Sequence, residues 1–262
     1  MKIFIDSANL TEIEEALRRG FVQGITTNPS LLAKEPKAEF ATHIGKILEL
    51  IQRHSPGIHL SVEVFSRDPD EILQQAKNFI HNFNYPELSV KVQIGWNELE
   101  VIKRLASENI SVNCTACMSV TQGMMAAAAG AKFVSFFWGR IRDAQKIEEK
   151  MQNIHTVGSD ERGVLENFAR IKREMMERKA LEEDDFDPFY VVRKAREIFD
   201  KAYPQVQIIS GSMRSSSDVK NAALAGSHII TVPPKFFNDM ISHFKTDEVV
   251  GQFLADFSQW IT

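Results

Sequence analysis

Eight short runs rich in Ile, Val and Phe recur along the chain, with segments of helical spacing between them. The runs cover residues 2–6, 21–25, 58–64, 88–92, 110–113, 132–137, 205–210 and 227–232. Runs of this length and composition are typical of strands. Because parallel neighbours need a connection long enough to hold a helix, the alternation predicts an α/β fold with parallel strands.

The strand number and the chain length together favour a closed barrel. A (β/α)8 barrel typically takes about 250 residues, and this chain has 262. We therefore predict a single (β/α)8 TIM barrel domain over residues 1–262. An open doubly wound sheet is the alternative, but the first strand ends in IDSAN without a glycine, which weakens its dinucleotide-binding version.

Charge and hydropathy exclude some classes of partner. Lys and Arg number 31 against 35 Asp and Glu, a formal net charge of -4, and no basic stripe is present, so we expect no nucleic-acid binding. No apolar run has the roughly 18 to 20 residues that span a bilayer, and the N-terminus lacks the apolar core of a secretory signal. We expect no membrane association and a cytoplasmic location.

Residues 145–186 form a segment far richer in charge than the chain as a whole, of which 25% is charged. The spacing in GVLENFARIKREMMERK predicts helix, so we expect a charged helical insertion after the sixth strand. An exposed helical pair is the plain interpretation. A lid over the barrel mouth or an oligomer contact is the functional one.

Polar side chains stand at or near the ends of nearly all the predicted strands, where barrel enzymes carry their reactive groups. Lys91 is the most informative, because it interrupts the apolar strand SVKVQI, where burial favours a neutral amine. Such an amine can attack a ketone and form a Schiff base, an electron sink for cleaving a carbon–carbon bond. An edge-strand lysine that opposes aggregation is the alternative.

Asp6 and Glu63 are candidate proton-transfer groups for this chemistry. Asp6 could instead cap the first helix, for which Thr11 and Glu14 match a capping box, and Glu63 could point outward. Asn28 precedes Pro29, the pattern of a helix N-cap, which is compatible with substrate contact.

The segment ISGSMRSSSD follows the seventh strand and suits capture of an oxyanion by Ser212, Arg214 and backbone N–H groups, with Arg140 converging on it. A serine-rich N-cap without a ligand is the alternative. Cys114 and Cys117 have the spacing of a thiol redox pair, which is a competing hypothesis from another class. The seven histidines lack metal-ligand spacing, so no metal site is predicted.

Taken in order, these motifs resemble the transaldolase family of Schiff-base class I aldolases, including its small branch of fructose-6-phosphate aldolases. The matching pieces are IDSAN, GITTNPSLL, SVEV, VKV, VNCTA, FVSFFWGRI, SGSMR and the tail from TVPPKFF to FLADFSQW. The resemblance implies a (β/α)8 barrel in circularly permuted order. It also implies transfer of a dihydroxyacetone unit between sugar phosphates, as in the pentose phosphate pathway, without a cofactor, by a homo-oligomer.

The resemblance also implies roles at positions of this chain. Lys91 would form the Schiff base, Asp6 would act at the hydroxyl next to the cleaved bond, and Glu63 would act through a water held by Thr115. The implied substrate-binding residues are Asn28, Thr26, Asn113, Ser135 and Phe137 around the dihydroxyacetone unit, and Arg140, Ser212 and Arg214 at the phosphate.

Two positions separate the branches of this family. Aldolases that release free dihydroxyacetone typically have glutamine at position 63 and tyrosine at position 137, so Glu63 and Phe137 favour transfer over aldol cleavage. Gln93, Gly95 and Glu98 depart from the family pattern after the lysine. A nonstandard anionic sugar, such as a sulfonated ketose, is therefore a further alternative for the substrate.

Overall fold

A computed structural model describes residues 1–156 and 158–261. Val157, within the predicted insertion, and Thr262, at the end of the predicted domain, lie outside the described residues. The eight predicted strands form a closed parallel barrel in chain order. They are β1 Lys2–Asp6, β2 Gly24–Thr26, β3 His59–Glu63, β4 Leu88–Gln93, β5 Val112–Cys117, β6 Phe133–Phe137, β7 Gln207–Gly211 and β8 Ile229–Val232.

Pairing of β1 with both β2 and β8 closes the barrel, which confirms the predicted fold class and removes the open sheet. The strand ends fall within about two residues of the prediction except in two strands. The second strand begins only at Gly24, because Phe21 is exposed and lies outside the sheet. The fifth runs on to Cys117 through an irregular register against β6.

Helices follow the strands around the outside and supply the other half of the main core. They are α1 Leu10–Arg18, α2 Pro29–Leu32, α3 Phe40–His54, α4 Pro69–Phe83, α5 Trp96–Ser107, α6 Val120–Ala128, α7 Trp138–Gln145, α8 Ile147–Gln152, α9 Ser159–Glu177, α10 Pro188–Ala202, α11 Ser216–Leu224, α12 Phe237–Ile241 and α13 Phe244–Trp260. None of the described helices is long and apolar enough to cross a membrane.

The start of α1 differs from the predicted capping box. Asn9, not Thr11, is the N-cap, and its side chain accepts a hydrogen bond from the backbone N–H of Glu12. The helix therefore begins at Leu10, one residue before the predicted cap. Asp6 does not cap this helix, which leaves its carboxylate available at the end of β1.

The charged segment after β6 is helical, as predicted. It contains α8, α9 and two 3₁₀ turns, Ile154–Thr156 and Glu183–Phe186. Leu165 and Phe186 are buried, and the ammonium of Lys172 lies 4.0 Å from the centroid of the Phe186 ring. These contacts anchor α9 to the 3₁₀ turn that leads into α10.

The barrel interior has an apolar half and a polar half. Toward the N-terminal ends of the strands, a small cluster of Phe4, Phe133, Ile209 and Ile229 fills the interior. Two residues further along β1, β6 and β8, the same face carries Asp6, Ser135 and Thr231, because side chains alternate along a strand. The polar half thus lies at the end of the barrel where the predicted site residues stand.

Candidate functional site

A pocket of about 320 Å³ opens at the C-terminal ends of the strands. All the predicted site residues except Asn113 and Arg214 line it. The lining residues are Asp6, Thr26, Asn28, Pro29, Ser30, Glu63, Lys91, Thr115, Ser135, Phe137, Arg140, Gly211, Ser212 and Thr231. Its size is at the lower end of the range for small-molecule sites.

Lys91 is the most deeply placed cation of this pocket, with 4% of the residue exposed. Its Nζ donates a hydrogen bond of 2.9 Å to the carbonyl oxygen of Thr27 and lies 2.7 Å from Oε2 of Glu63. Register explains the pairing, because Lys91 stands opposite Glu63 on β3 and opposite Asn113 on β5. The inward-facing amine excludes the edge-strand interpretation.

Two of the buried oxygens in this pocket make no hydrogen bond within the part of the chain that the structure describes. Thr115 Oγ1 has no hydrogen-bonding partner among the described residues, and Glu63 Oε2 contacts Lys91 only as an ion pair. Both side chains line the pocket. A water or a substrate oxygen at either atom would use the hydrogen-bonding capacity that the protein leaves unused.

Asp6 lies in the same pocket and accepts a hydrogen bond of 2.8 Å from Thr26 Oγ1, which in turn lies 2.5 Å from Thr231 Oγ1. Burial raises the pKa of Asp6 above its ordinary value; the positive charge of Lys91 and the Thr26 hydrogen bond partly offset this effect. A carboxyl perturbed in this way within a cleft is typical of a proton-transfer group.

Asn113 lies beneath the pocket rather than in its wall. It is fully buried, its Nδ2 donates to Ser61 Oγ at 3.1 Å, and its Oδ1 accepts from Ser135 Oγ at 2.7 Å. Asn28 lines the pocket, and its side-chain oxygen caps α2 by accepting from the N–H of Leu31. The predicted N-cap role of Asn28 is therefore confirmed alongside its place in the wall.

The predicted anion-binding residues divide between two adjoining pockets. Arg140 and Ser212 line both, whereas Arg214 lines only the outer one. The guanidinium of Arg214 donates a hydrogen bond of 2.9 Å to Asp143. The N–H of Gly139 donates to the carbonyl of Ser212 at 3.2 Å, which holds the loop after β7 against the start of α7.

Four lining residues were absent from the sequence prediction: Pro29, Ser30, Gly211 and Thr231. Thr231 carried a usable signal, because it is the polar member of the otherwise apolar run that forms β8. Pro29 and Gly211 are next in sequence to the predicted residues Asn28 and Ser212, and Ser30 follows Pro29, so proximity in sequence could have found them. Only the folded chain shows that their side chains or backbone face the cavity.

The geometry argues against a reactive thiol pair at Cys114 and Cys117. Both residues are completely buried, and their Sγ atoms are 4.0 Å apart. The hydrogen bond with Cys114 and burial raise the pKa of the Cys117 thiol well above its ordinary value. Reactive cysteines have the opposite features, a lowered thiol pKa and partial exposure.

Comparisons with known proteins agree with the geometry. A family model described as Transaldolase/Fructose-6-phosphate aldolase matches residues 3–260. A "Probable transaldolase 1" of Listeria monocytogenes is 33% identical over 258 residues, covering 98% of this chain and 97% of that protein. A "Probable transaldolase" of Alkaliphilus metalliredigens is 32% identical over 256 residues, covering 98% and 97%.

Among solved structures, an enzyme with a different named activity has a similar fold. Thiamine phosphate pyrophosphorylase from Pyrococcus furiosus aligns with a TM-score of 0.51 and 12% identity, covering 88% of this chain and 85% of that chain. At that identity the similarity concerns the barrel fold alone.

Proposed function

Because the chain belongs to the transaldolase/fructose-6-phosphate aldolase family, we propose that it moves a dihydroxyacetone unit from a ketose phosphate to an aldose phosphate through a Schiff base on Lys91. The observation that carries the proposal is the buried Lys91 amine, 2.7 Å from the Glu63 carboxylate at the base of a polar pocket. Schiff-base chemistry needs a nucleophilic amine with a proton acceptor beside it, and barrel enzymes carry their reactive groups at the C-terminal ends of the strands.

In the proposed reaction, Glu63 takes a proton from Lys91, and the free amine adds to the ketone carbon of the donor. The proton that the adduct's nitrogen loses goes to the former ketone oxygen. Glu63 then protonates the resulting hydroxyl through a water on Thr115, so that water leaves and a protonated imine remains. Asp6 removes the proton of the hydroxyl next to the breaking bond. The bond electrons pass to the imine nitrogen, and an aldose phosphate leaves.

The enamine that remains on Lys91 adds to the carbonyl carbon of an acceptor aldose phosphate, and Asp6 returns its proton to the new hydroxyl. Hydrolysis of the imine then frees Lys91. We assign Asn28 and Ser135 to the hydroxyls of the dihydroxyacetone unit, with Asn113 holding Ser135 from beneath the pocket. Arg140, Ser212 and Arg214 hold the phosphate, which would compete with Asp143 for the Arg214 guanidinium.

Fructose-6-phosphate aldolase activity is the second candidate. Phe137 lines the pocket and has no proton to give to the enamine, which favours the acceptor-dependent reaction over release of free dihydroxyacetone. A sulfonated ketose is a further alternative donor, since the chain departs from the family pattern at Gln93, Gly95 and Glu98.

Borohydride trapping with fructose 6-phosphate tests the proposal, followed by peptide mass spectrometry of wild type and Lys91→Ala, with and without erythrose 4-phosphate. We expect a reduced adduct on Lys91 and product only when the acceptor is present. Free dihydroxyacetone formed without acceptor would favour the aldolase. If a panel of anionic ketoses, sulfonates included, gave no adduct on Lys91, the Schiff-base mechanism would be wrong.

We further propose that the protein is a cytoplasmic homo-oligomer in which α13 contacts a second copy of the chain. Every residue of α13 is exposed, and Val250, Phe253, Leu254 and Phe257 stand at the spacing of one helix face. A continuous apolar stripe of this kind is typical of a surface that a partner covers.

A further inference from the structure

A buried row of hydrogen bonds joins the pocket to the opposite end of the barrel interior. His59 Nε2 lies 2.6 Å from Ser61 Oγ on the same strand, β3. Ser61 accepts from Asn113 on β5 at 3.1 Å, and Asn113 accepts from Ser135 on β6 at 2.7 Å. Of the four side chains, Ser135 lines the pocket and His59 lines a separate cavity at the other end.

The donors and acceptors of this row fit one direction. The amide of Asn113 turns its N–H toward Ser61 and its oxygen toward Ser135. Ser61 therefore accepts from Asn113, and its single hydroxyl hydrogen can go to His59 Nε2 when that nitrogen carries no proton. The hydroxyl hydrogen of Ser135 is committed to Asn113, so Ser135 presents lone pairs to the pocket.

The surroundings of His59 keep its ring in a form that can accept. The ring stacks on Phe4 with centroids 5.2 Å apart and meets the Phe133 ring edge-on at 4.7 Å. Burial lowers the pKa of His59 to about 3, and the positive charges of Lys132 and Lys2 add to the effect. An imidazolium would carry hydrogens on both nitrogens and could not accept from Ser61.

We propose that His59 is a positioning residue for donor binding: as a neutral ring protonated on Nδ1, it sets the hydrogen-bond direction of Ser61, Asn113 and Ser135. The inference rests on the proposed function, in which Ser135, held by Asn113, contacts a dihydroxyacetone hydroxyl. In this direction, Ser135 accepts a hydrogen bond from a substrate hydroxyl. Without an acceptor at position 59, the Asn113 side-chain amide can rotate by half a turn, so that its N–H group faces Ser135. The Ser135 hydroxyl then donates its hydrogen to the substrate instead of accepting one.

Two substitutions separate the acceptor from the packing of the ring. His59→Phe keeps an aromatic ring against Phe4 and Phe133 but removes the acceptor, whereas His59→Gln supplies an amide oxygen at a similar reach. We expect KM for the ketose phosphate to rise about tenfold in His59→Phe, the effect of one lost hydrogen bond, with little change in kcat. His59→Gln should restore most of the loss. Ser61→Ala should reproduce it if His59→Phe does not fold.

Thermal unfolding of each variant is measured alongside the kinetics. A purely structural role of His59 would lower the melting temperature without raising KM selectively over kcat. An unchanged KM in folded His59→Phe and Ser61→Ala, with the wild-type adduct on Lys91 intact, would overturn the inference. No adduct on wild-type Lys91 across the ketose panel would overturn the proposed function instead.

A substrate-free measurement tests the direction itself. Nitrogen-15 NMR of the full chain with labelled histidine should show His59 neutral and unprotonated at Nε2 from about pH 5 to pH 8, the range in which ordinary histidines titrate. His59→Phe identifies its signal. A proton on Nε2 would show the opposite direction, and titration within that range would show that the ring is not held neutral. Either result would overturn the inference whatever reaction the enzyme catalyses.

Discussion

Lys91 is buried, and its Nζ lies 2.7 Å from Oε2 of the Glu63 carboxylate. A proton that passes directly from Nζ to Glu63 leaves two neutral groups, so the amine becomes nucleophilic without leaving an unpaired charge in the pocket. Glu63 therefore suits both activation of the amine and later delivery of the proton.

Glu63→Gln keeps the shape of the side chain and removes its basicity. We expect the rate of borohydride-trapped adduct formation to fall by about 100-fold or more, the usual contribution of a general base, while the adduct still forms on Lys91. Single-turnover trapping with quantitative mass spectrometry measures this rate. Glu100→Gln, an exposed position on α5, is the matched control and should react like wild type. An undiminished rate in Glu63→Gln would remove Glu63 from the mechanism.

The environment of Asp6 predicts how kcat/KM depends on pH. Burial raises the pKa of Asp6, and the proposed reaction needs the ionised form, so kcat/KM should fall as pH drops through a value above that of an ordinary carboxyl. Thr26→Val removes the hydrogen bond that stabilises the carboxylate and should move this acid limb to still higher pH.

Thr231→Val is the control for the Asp6 prediction, since Thr231 contacts Thr26 rather than the carboxylate. Its acid limb should stay near that of wild type. Steady-state kinetics across the pH range measure all three profiles, and equal limbs in Thr26→Val and wild type would contradict the assignment.

At the scale of elements, an ion pair joins the two segments that carry the proposed anion-binding residues. Arg142 on α7 donates through Nη2 to Oδ2 of Asp218 on α11 at 3.0 Å, and the same oxygen accepts from the backbone N–H of Arg214 at 2.9 Å. Asp218 is nearly fully buried. The pair therefore fixes the loop after β7 relative to the helix that bears Arg140.

Asp218→Asn should lower the melting temperature and weaken this fixation. We expect kcat/KM for a phosphorylated ketose to drop about tenfold or more, because a buried charge-assisted pair is broken at the phosphate end. The reaction of unphosphorylated dihydroxyacetone donors should change less. Asp200→Asn removes an exposed ion pair with Arg196 and is the matched control, expected to change neither property. An equal loss with both donors would argue against a role at the phosphate.

Gly24 is required by close packing between β2 and the barrel interior. A Cβ at this position would lie 2.5 Å from atoms of the Phe4 ring, which stacks on His59 and has little room to move. We expect Gly24→Ala to destabilise the fold by about 1–3 kcal/mol, the usual cost of overpacking a core. Denaturant unfolding measures the change.

Gly45→Ala is the matched control for Gly24, because nothing lies within 4 Å of the added Cβ in α3. It should stabilise the fold by about 0.5–1 kcal/mol, since alanine is the better helix former. Destabilisation of similar size in both variants would contradict the packing explanation.

At the scale of the whole molecule, the exposed apolar stripe of α13 leads us to predict a homo-oligomer. Light scattering should give a mass well above the 29.7 kDa of one chain. Phe253→Ser with Phe257→Ser removes two large side chains from the exposed stripe, and we expect the mass to fall toward that of the monomer. Lys245→Ser, on the same helix but charged, is the control. A monomeric wild type would make the oligomer proposal wrong.

The sequence by itself determined the fold class and most of the pocket, because both depend on short-range regularities. Alternating strand and helix patterns leave a parallel barrel as the favoured closed solution, and barrel geometry brings strand-end residues such as Asp6, Glu63 and Lys91 to one end. The ends of helices are less well determined by sequence. Thr11 matches a capping motif, yet Asn9 is the N-cap of α1, because several nearby side chains can accept from the same N–H groups.

Only the tertiary structure decided which neighbours these residues have. The pairing of Lys91 with Glu63, the turn of Arg214 toward Asp143 and the row from His59 to Ser135 depend on strand register and helix placement. Such contacts bring residues that are far apart in sequence to within a few ångströms of each other, and local sequence patterns do not specify which residues meet. Sequence periodicity thus identifies the groups at the barrel end, whereas packing fixes the proton and hydrogen-bond relations between them.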